Sequence, residues 1–326
     1  MDRSRRRSGF LIAATLGLAA TAAAPGPPPL KAMRWLARDS DASVLLTRRP
    51  TECLALPRVA GVAYSVELGR AAFRDPLLLG GQAARAGIAC ESCHQNGRTN
   101  PDFQFPGLSG APGTADVTSF LFSSHRGDHI DDPRPIPDLG GQRSARKVSR
   151  DPSSGALEKF IHGLITEEFD GPEPPPAVLE GLAAYVRSLD PANCPAARSE
   201  PLRVGQAVED ARRAVRAAAA ALENRDAASA VVMLQAARTQ LGAIAERYPG
   251  ARLATIRQGI VAADLDLAAA LDAVRAGPGD AGERLSEWLA RSEEWAAAAR
   301  RNESRSLYDR ATLADAVSPQ GSEITR

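Results

Sequence analysis

The chain has 326 residues, 44% of them hydrophobic, and a formal net charge of +1. That length favours two domains with ample buried cores, and a charge so nearly balanced excludes the broadly basic surface that a nucleic-acid partner would need. Without residues 1–24, which hold four Arg and one Asp, the remainder is slightly acidic.

Arg3, Arg5, Arg6 and Arg7 form a basic start, Gly9 to Ala20 an apolar run, and Ala22-Ala23-Ala24 a stretch of small residues suited to cleavage before Pro25. The pattern predicts a secretory signal peptide over residues 1–24, and hence a periplasmic or otherwise exported protein. Its apolar run is shorter than the roughly 20 residues of a spanning helix, so membrane contact is expected only if the signal stays uncleaved. Residues 25–52 read as a linker or N-terminal extension.

Residues 53–195 read as one all-α domain. Cys53 and Cys194 bracket it, and an even pair in an oxidising compartment predicts a disulfide joining its two ends. Val62, Val66, Gly69 and Phe73 lie at helical spacing and predict a first helix over Val62 to Phe73. Then comes Cys90-Glu91-Ser92-Cys93-His94. Two thiols three apart can add to the two vinyl groups of one porphyrin, and the histidine that follows can bind the iron as proximal ligand. One covalently attached haem c is therefore expected, held by Cys90, Cys93 and His94. A zinc knuckle would need a second ligand pair, which the chain lacks, and a dithiol redox motif would need a strand before it, where Gly87-Ile88-Ala89 stands instead.

From Asn96 to Arg150 the sequence is rich in Pro and Gly and lacks helical periodicity, which predicts a long functional loop folded over the haem face. It carries His125, Arg126 and His129. A second helix is expected over Gly155 to Phe169, with His162, Glu167 and Glu168. A third begins at Pro174-Pro175-Pro176, with Leu179, Leu182, Val186 and Leu189 as its stripe, and stops before Pro191. Met1 lies in the signal, Met33 just beyond it and Met233 in a later helix, so a distal iron ligand is expected from His129, His125 or His162. Two imidazoles would saturate the iron and suit electron transfer. An open position would instead permit peroxide binding, for which Glu167, Glu168 and Arg126 are the candidate acid/base and cationic groups, weighed against ordinary solvated charge.

Gly69 and Phe73 on the first helix and Tyr185 on the last resemble the terminal-helix contact of cytochrome c. More narrowly, Leu68-Gly69-Arg70, Phe73-Arg74-Asp75-Pro76, Gly87 leading into the thiol motif, and Gly171 to Leu189 as closing helix are similar to a domain of the bacterial di-haem cytochrome c peroxidase superfamily, over roughly residues 60 to 190. The resemblance implies a cytochrome c-like fold and peroxide chemistry. This chain departs from that family in carrying one haem motif rather than two and in lacking the axial methionine.

Beyond Cys194 there is no His, Cys or Lys, and Arg balances Asp plus Glu at 18 each from Arg198 onward. Val204 to Leu222, Leu234 to Tyr248, Leu253 to Val274, and a segment with Leu285, Trp288 and Trp295 carry apolar stripes. They are separated by turns at Asn224-Arg225-Asp226, Pro249-Gly250 and Gly277-Pro278-Gly279. An antiparallel helical bundle over 200–316 is expected, serving docking or oligomerisation, with a disordered tail over 317–326. The whole reads as a periplasmic single-haem cytochrome passing electrons to or from a redox partner protein or small donor or acceptor. The alternatives are a hydrogen peroxide reductase and a haem-bearing docking protein acting through its bundle.

Overall fold

The computed structural model describes residues 34–194, 199–277 and 279–318. The signal peptide, Met33, Pro278 and residues 319–326 of the expected tail lie outside the described residues, whereas Val317, expected as the first residue of that tail, is helical. The protein is all-α in class: 13 helices account for most of the described residues, and strand is confined to short pieces. Among the described residues no helix is long and apolar enough to cross a membrane.

Residues 34–52, expected as a linker or extension, are built into the body of the protein. The Trp35 indole nitrogen donates to Ala86 O at 2.9 Å, and its ring meets Phe105 edge-on at 4.5 Å. Helix α1 (Ala42–Leu45) packs against α13 (Arg310–Val317) near the other end of the chain. Strand β1 (Arg48–Pro50) pairs antiparallel with β4 (Ser199–Pro201), with Arg49 opposite Glu200. Three-residue strands that each contain a proline leave no alternating pattern to read, so nothing in the sequence announces them.

Helix α2 (Ala60–Ala72) crosses α8 (Pro176–Ser188) at a pair of glycines. A Cβ added to Gly69 would fall 1.9 Å from Gly181 O, and one added to Gly181 would fall 2.7 Å from Ser65 O, so the two backbones touch as no side chain would permit. Beside this crossing the Phe73 and Tyr185 rings pack tilted, 5.1 Å between centroids. Gly69, Phe73 and Tyr185 thus lie together at one helix crossing.

Short helices α3 (Pro76–Leu79) and α4 (Gly81–Arg85) lead to α5 (Cys90–Cys93). The long segment after it is irregular, as expected, apart from the two-residue strands β2 (Thr114–Ala115) and β3 (Arg134–Pro135), paired antiparallel, and a short α6 (Gln142–Lys147). The expected second helix divides in two: α7 (Ala156–Gly163) continues as a π-helical turn over Leu164–Glu168. Cys53 and Cys194 form the expected disulfide, with Cα atoms 5.3 Å apart. Closing a loop of this length contributes about 5 kcal/mol by the chain-entropy account.

The remaining helices are α9 (Val204–Glu223), α10 (Ala227–Glu246), α11 (Ala254–Ala276) and α12 (Ala281–Arg301). Each packs against the next, and α12 returns against α9. α10 begins well before the expected stripe because Asp226 caps it, accepting from Ser229 N at 3.0 Å. α2 also packs on α9 and α10, and one continuous apolar cluster runs from Val66 to Tyr308 through both halves. Met233 is fully buried within that cluster on α10.

Candidate functional site

The turn that carries the two thiols is fixed from every side. Glu91 N donates to Phe73 O at 3.1 Å, which ties α5 to the end of α2. Ala89 N donates to Ser92 Oγ at 3.0 Å, and His94 N donates to Cys90 O at 2.9 Å. Asn100 takes up two carbonyls, Cys93 O through its backbone at 3.0 Å and Ser92 O through its side chain at 2.8 Å. With these groups satisfied, the side chains of Cys90, Cys93 and His94 are presented from a rigid turn.

His94 is held by its Nδ1, 3.0 Å from Pro137 O. A carbonyl only accepts, so Nδ1 bears the proton and Nε2 presents a free lone pair. Burial pushes the imidazole down to about 4, against the opposing pull of the Pro137 carbonyl and the Asp138 charge, so the ring is neutral at pH 7. A neutral imidazole with its second nitrogen anchored on a backbone carbonyl is what a metal-ligating histidine requires. Asp138 is in turn held by Arg98.

Cys90 and Cys93 are not bonded to each other, and both pack against the main apolar cluster. Burial pushes each thiol up to about 12, so neither is a thiolate. Among the described residues no group of three or more His, Cys, Asp or Glu side chains could hold a metal ion. Two unbridged thiols three apart could form thioethers with the vinyl groups of a porphyrin, and the imidazole beside them could then bind its iron.

Behind the turn lies a buried ionic network that the sequence did not reveal. Glu52 accepts from Arg70 Nε at 3.0 Å, from Arg74 at 3.1 Å and from the Tyr185 hydroxyl at 2.8 Å. Burial alone would push this carboxyl up, but Arg74 and Arg70 outweigh it and hold it at about 2. Arg74 also donates to Asn96 Oδ1 at 2.8 Å, Asn96 donates its side-chain amide to Pro50 O at 2.7 Å, and Asn96 N donates to Glu91 at 3.0 Å. The α2/α8 crossing, strand β1 and the thiol turn thus share one set of hydrogen bonds. Arg70 near the end of α2 and Arg74 just beyond it were its only trace in the sequence.

The three histidines considered as a distal ligand lie at the surface. His125 is 4.0 Å from Asp170, His129 has a left-handed backbone (φ 60°) with its ring 5.0 Å from that of Phe120, and His162 Nε2 is 2.9 Å from Glu173. Each is thus engaged with its own surroundings and not with the thiol turn.

Arg126, Glu167 and Glu168 do come together. Arg126 Nε donates to Glu167 at 2.7 Å and its Nη1 to Glu168 at 3.2 Å. The loop is clamped to the π-helical turn, with Ser123 Oγ donating to Glu167 O at 2.6 Å and Ser124 N to Asp170 at 3.0 Å. Glu167 and Arg126 are half exposed, as ordinary surface charge would be, but Glu168 is buried and its Oε2 has no hydrogen-bond partner. Burial pushes the Glu168 carboxyl up, against the pull of Arg126. A π-helical turn re-aims side chains and is frequent at functional sites.

No family model matches the chain, and neither curated proteins nor solved structures yield a match.

Proposed function

We propose that this protein is an exported c-type cytochrome with one haem, in which a cytochrome c-like domain is joined to an antiparallel helical bundle and passes electrons to or from a redox partner. The observation that carries the reading is His94: it follows two unbridged thiols on one turn and is locked in the tautomer that leaves Nε2 free. Cys90 and Cys93 would tether the haem and His94 would bind its iron from the proximal side. The bound group would supply one-electron transfer, and the chain's part is to hold it, fix its proximal ligand and keep water from that ligand. The glycine crossing of α2 and α8 with its Phe73/Tyr185 contact supports kinship with cytochrome c domains. The runs Leu68-Gly69-Arg70 and Phe73-Arg74-Asp75-Pro76 support the narrower likeness to the di-haem peroxidase superfamily.

Absorption spectra of the mature, haem-loaded protein, oxidised and reduced, test this. Low-spin bands unmoved by carbon monoxide or peroxide are expected of a closed electron carrier, and replacing His125, His129 and His162 in turn then tests whether any of these surface histidines moves in to close the iron.

A second reading, peroxide reduction, is favoured by Glu168. Its buried, unpartnered oxygen beside Arg126 offers a carboxyl able to hold or release a proton, with a cation next to it. High-spin iron, with peroxide turnover that falls at least tenfold in Glu168→Gln while the spectrum stays unchanged, would establish that reading over the first.

A further inference from the structure

A cavity of about 330 Å³ lies where the thiol turn, the N-terminal segment and the long helices meet. Glu91, the residue after Cys90, forms part of its wall, as do Ala207 and Asp210 of α9 and Ala243 of α10. Its volume falls in the range of small-molecule sites, which are mostly apolar with a few convergent polar groups.

The apolar part of the wall comes from Leu46, Leu202, Leu307 and Leu313. The polar part is dominated by four guanidinium groups, of Arg34, Arg49, Arg74 and Arg247. Three of them are engaged. Arg74 is spent on Glu52, Asn96 and Arg70 O. Arg49 pairs with Glu200 at 3.3 Å and Asp210 at 3.6 Å. Arg247 donates to Leu307 O at 2.9 Å and Leu46 O at 2.8 Å, with its guanidinium 4.8 Å from the Tyr308 ring centre.

Arg34 is different. Its Nη1 is buried and has no hydrogen-bond partner. Burial bears most heavily on its charge; Glu91 draws it, while Arg247 and Arg49 repel it. A guanidinium does not shed its proton to escape such a position, so an unpaired donor there carries a standing desolvation cost. An anion in the cavity would remove that cost. Arg49 and Arg74 are already matched by Glu200, Asp210 and Glu52, and Glu91 and Glu246 also stand in the wall, which leaves the single unpartnered guanidinium nitrogen of Arg34 for a ligand. That balance suits a monoanion, whereas a dianion would meet the surrounding carboxylates. A planar carboxylate matches the guanidinium fork, and the leucines require an apolar body behind it.

We propose that this cavity binds a small organic monocarboxylate, with its carboxylate on Arg34 and its apolar body against Leu46, Leu202, Leu307 and Leu313. The inference stands apart from the haem reading, because binding is read as heat and not as colour.

The test is isothermal titration calorimetry on the full mature protein as isolated, with hexanoate, its uncharged amide hexanamide, and inorganic phosphate. Hexanoate should bind saturably at one per chain, hexanamide at least tenfold more weakly, and phosphate should neither bind nor compete. Arg34→Gln should weaken hexanoate at least tenfold, and Leu313→Trp, which fills the cavity and leaves every charge in place, should abolish binding. Absence of hexanoate binding, equal affinity for hexanamide, preference for phosphate, or undiminished binding in a folded Arg34→Gln protein would each overturn the proposal. Should both variants fail to fold, the comparison of the three probes on the unmodified chain still decides it.

Discussion

The half of the molecule that carries the thiol turn and the half built from α9 to α12 are held together by different means. The first is irregular over much of its length and relies on a disulfide, a glycine crossing and a buried ionic network that reaches from Glu52 to Glu91. The second is four regular helices whose buried faces are largely alanine and leucine, with a buried ion pair between Arg238 and Asp264 at 2.9 Å. Covalent and polar constraints position a few side chains to a fraction of an ångström, whereas apolar stripes fix helix register and leave the surface open to change. The first kind of construction is suited to holding a reactive group, the second to supporting it.

Changes in each half should separate these two kinds of support. The largest effect is expected from removing the disulfide in a Cys53→Ser, Cys194→Ser protein, which should lose up to about 5 kcal/mol in a denaturant titration. Leu241→Ala, at a fully buried position of α10, should cost about 3 kcal/mol through lost burial and the cavity left behind, yet leave the thiol turn and any group on it spectroscopically unchanged. An altered spectrum would mean that the two halves are not separable in this way. Gly69→Ala should cost a similar amount, because its Cβ would fall 1.9 Å from Gly181 O and the helices must part; here the spectrum should change as well.

Acid should act on the first half through Glu52. Its carboxyl titrates at about 2 in the folded protein, below the ordinary value of 4.5, so the stability it contributes is complete above about pH 4.5 and is lost as pH falls towards 2. The span corresponds to about 3 kcal/mol. Glu52→Gln should flatten that part of the stability curve, measured by unfolding at a series of pH values; an unchanged slope would show that Glu52 is not held by Arg70 and Arg74. The smallest effect is expected at the surface pair of Arg291 and Asp266, 3.3 Å apart and exposed, where Arg291→Ala should change stability by less than about 1 kcal/mol.

What could be read in the sequence follows the same division. The four long helices were legible because their apolar stripes repeat over several turns and their connections carry Asn, Asp, Gly or Pro. α13, with only eight residues, offered no such repeat and was placed within the end of the helical region without being distinguished. In the other half the local signals were strong: the thiol motif, the Cys53/Cys194 pairing, and the Gly69, Phe73 and Tyr185 contact. What escaped was most of the long-range polar contact, the Arg126, Glu167 and Glu168 group excepted. Pro137 fixes His94 through a backbone carbonyl, which any residue at position 137 would supply, so its identity announces nothing. Glu52 lay in a stretch read as linker, although it binds residues 18, 22 and 133 positions away. The burial of Glu168 depends on a π-helical turn that shifts register by one residue, which a 3.6-residue period cannot foresee.

The central claim is that the Cys90 and Cys93 thiols and His94 hold a haem, and the most direct measurement is the mass and haem content of the denatured mature protein after expression in a host able to attach haem c. One haem should remain with each polypeptide through denaturation and acid extraction and should be lost when Cys90 and Cys93 are both replaced by alanine, while His94→Ala should retain the covalent bond and alter the spectrum. A polypeptide of bare mass, with two titratable thiols in place of the haem, would contradict the account.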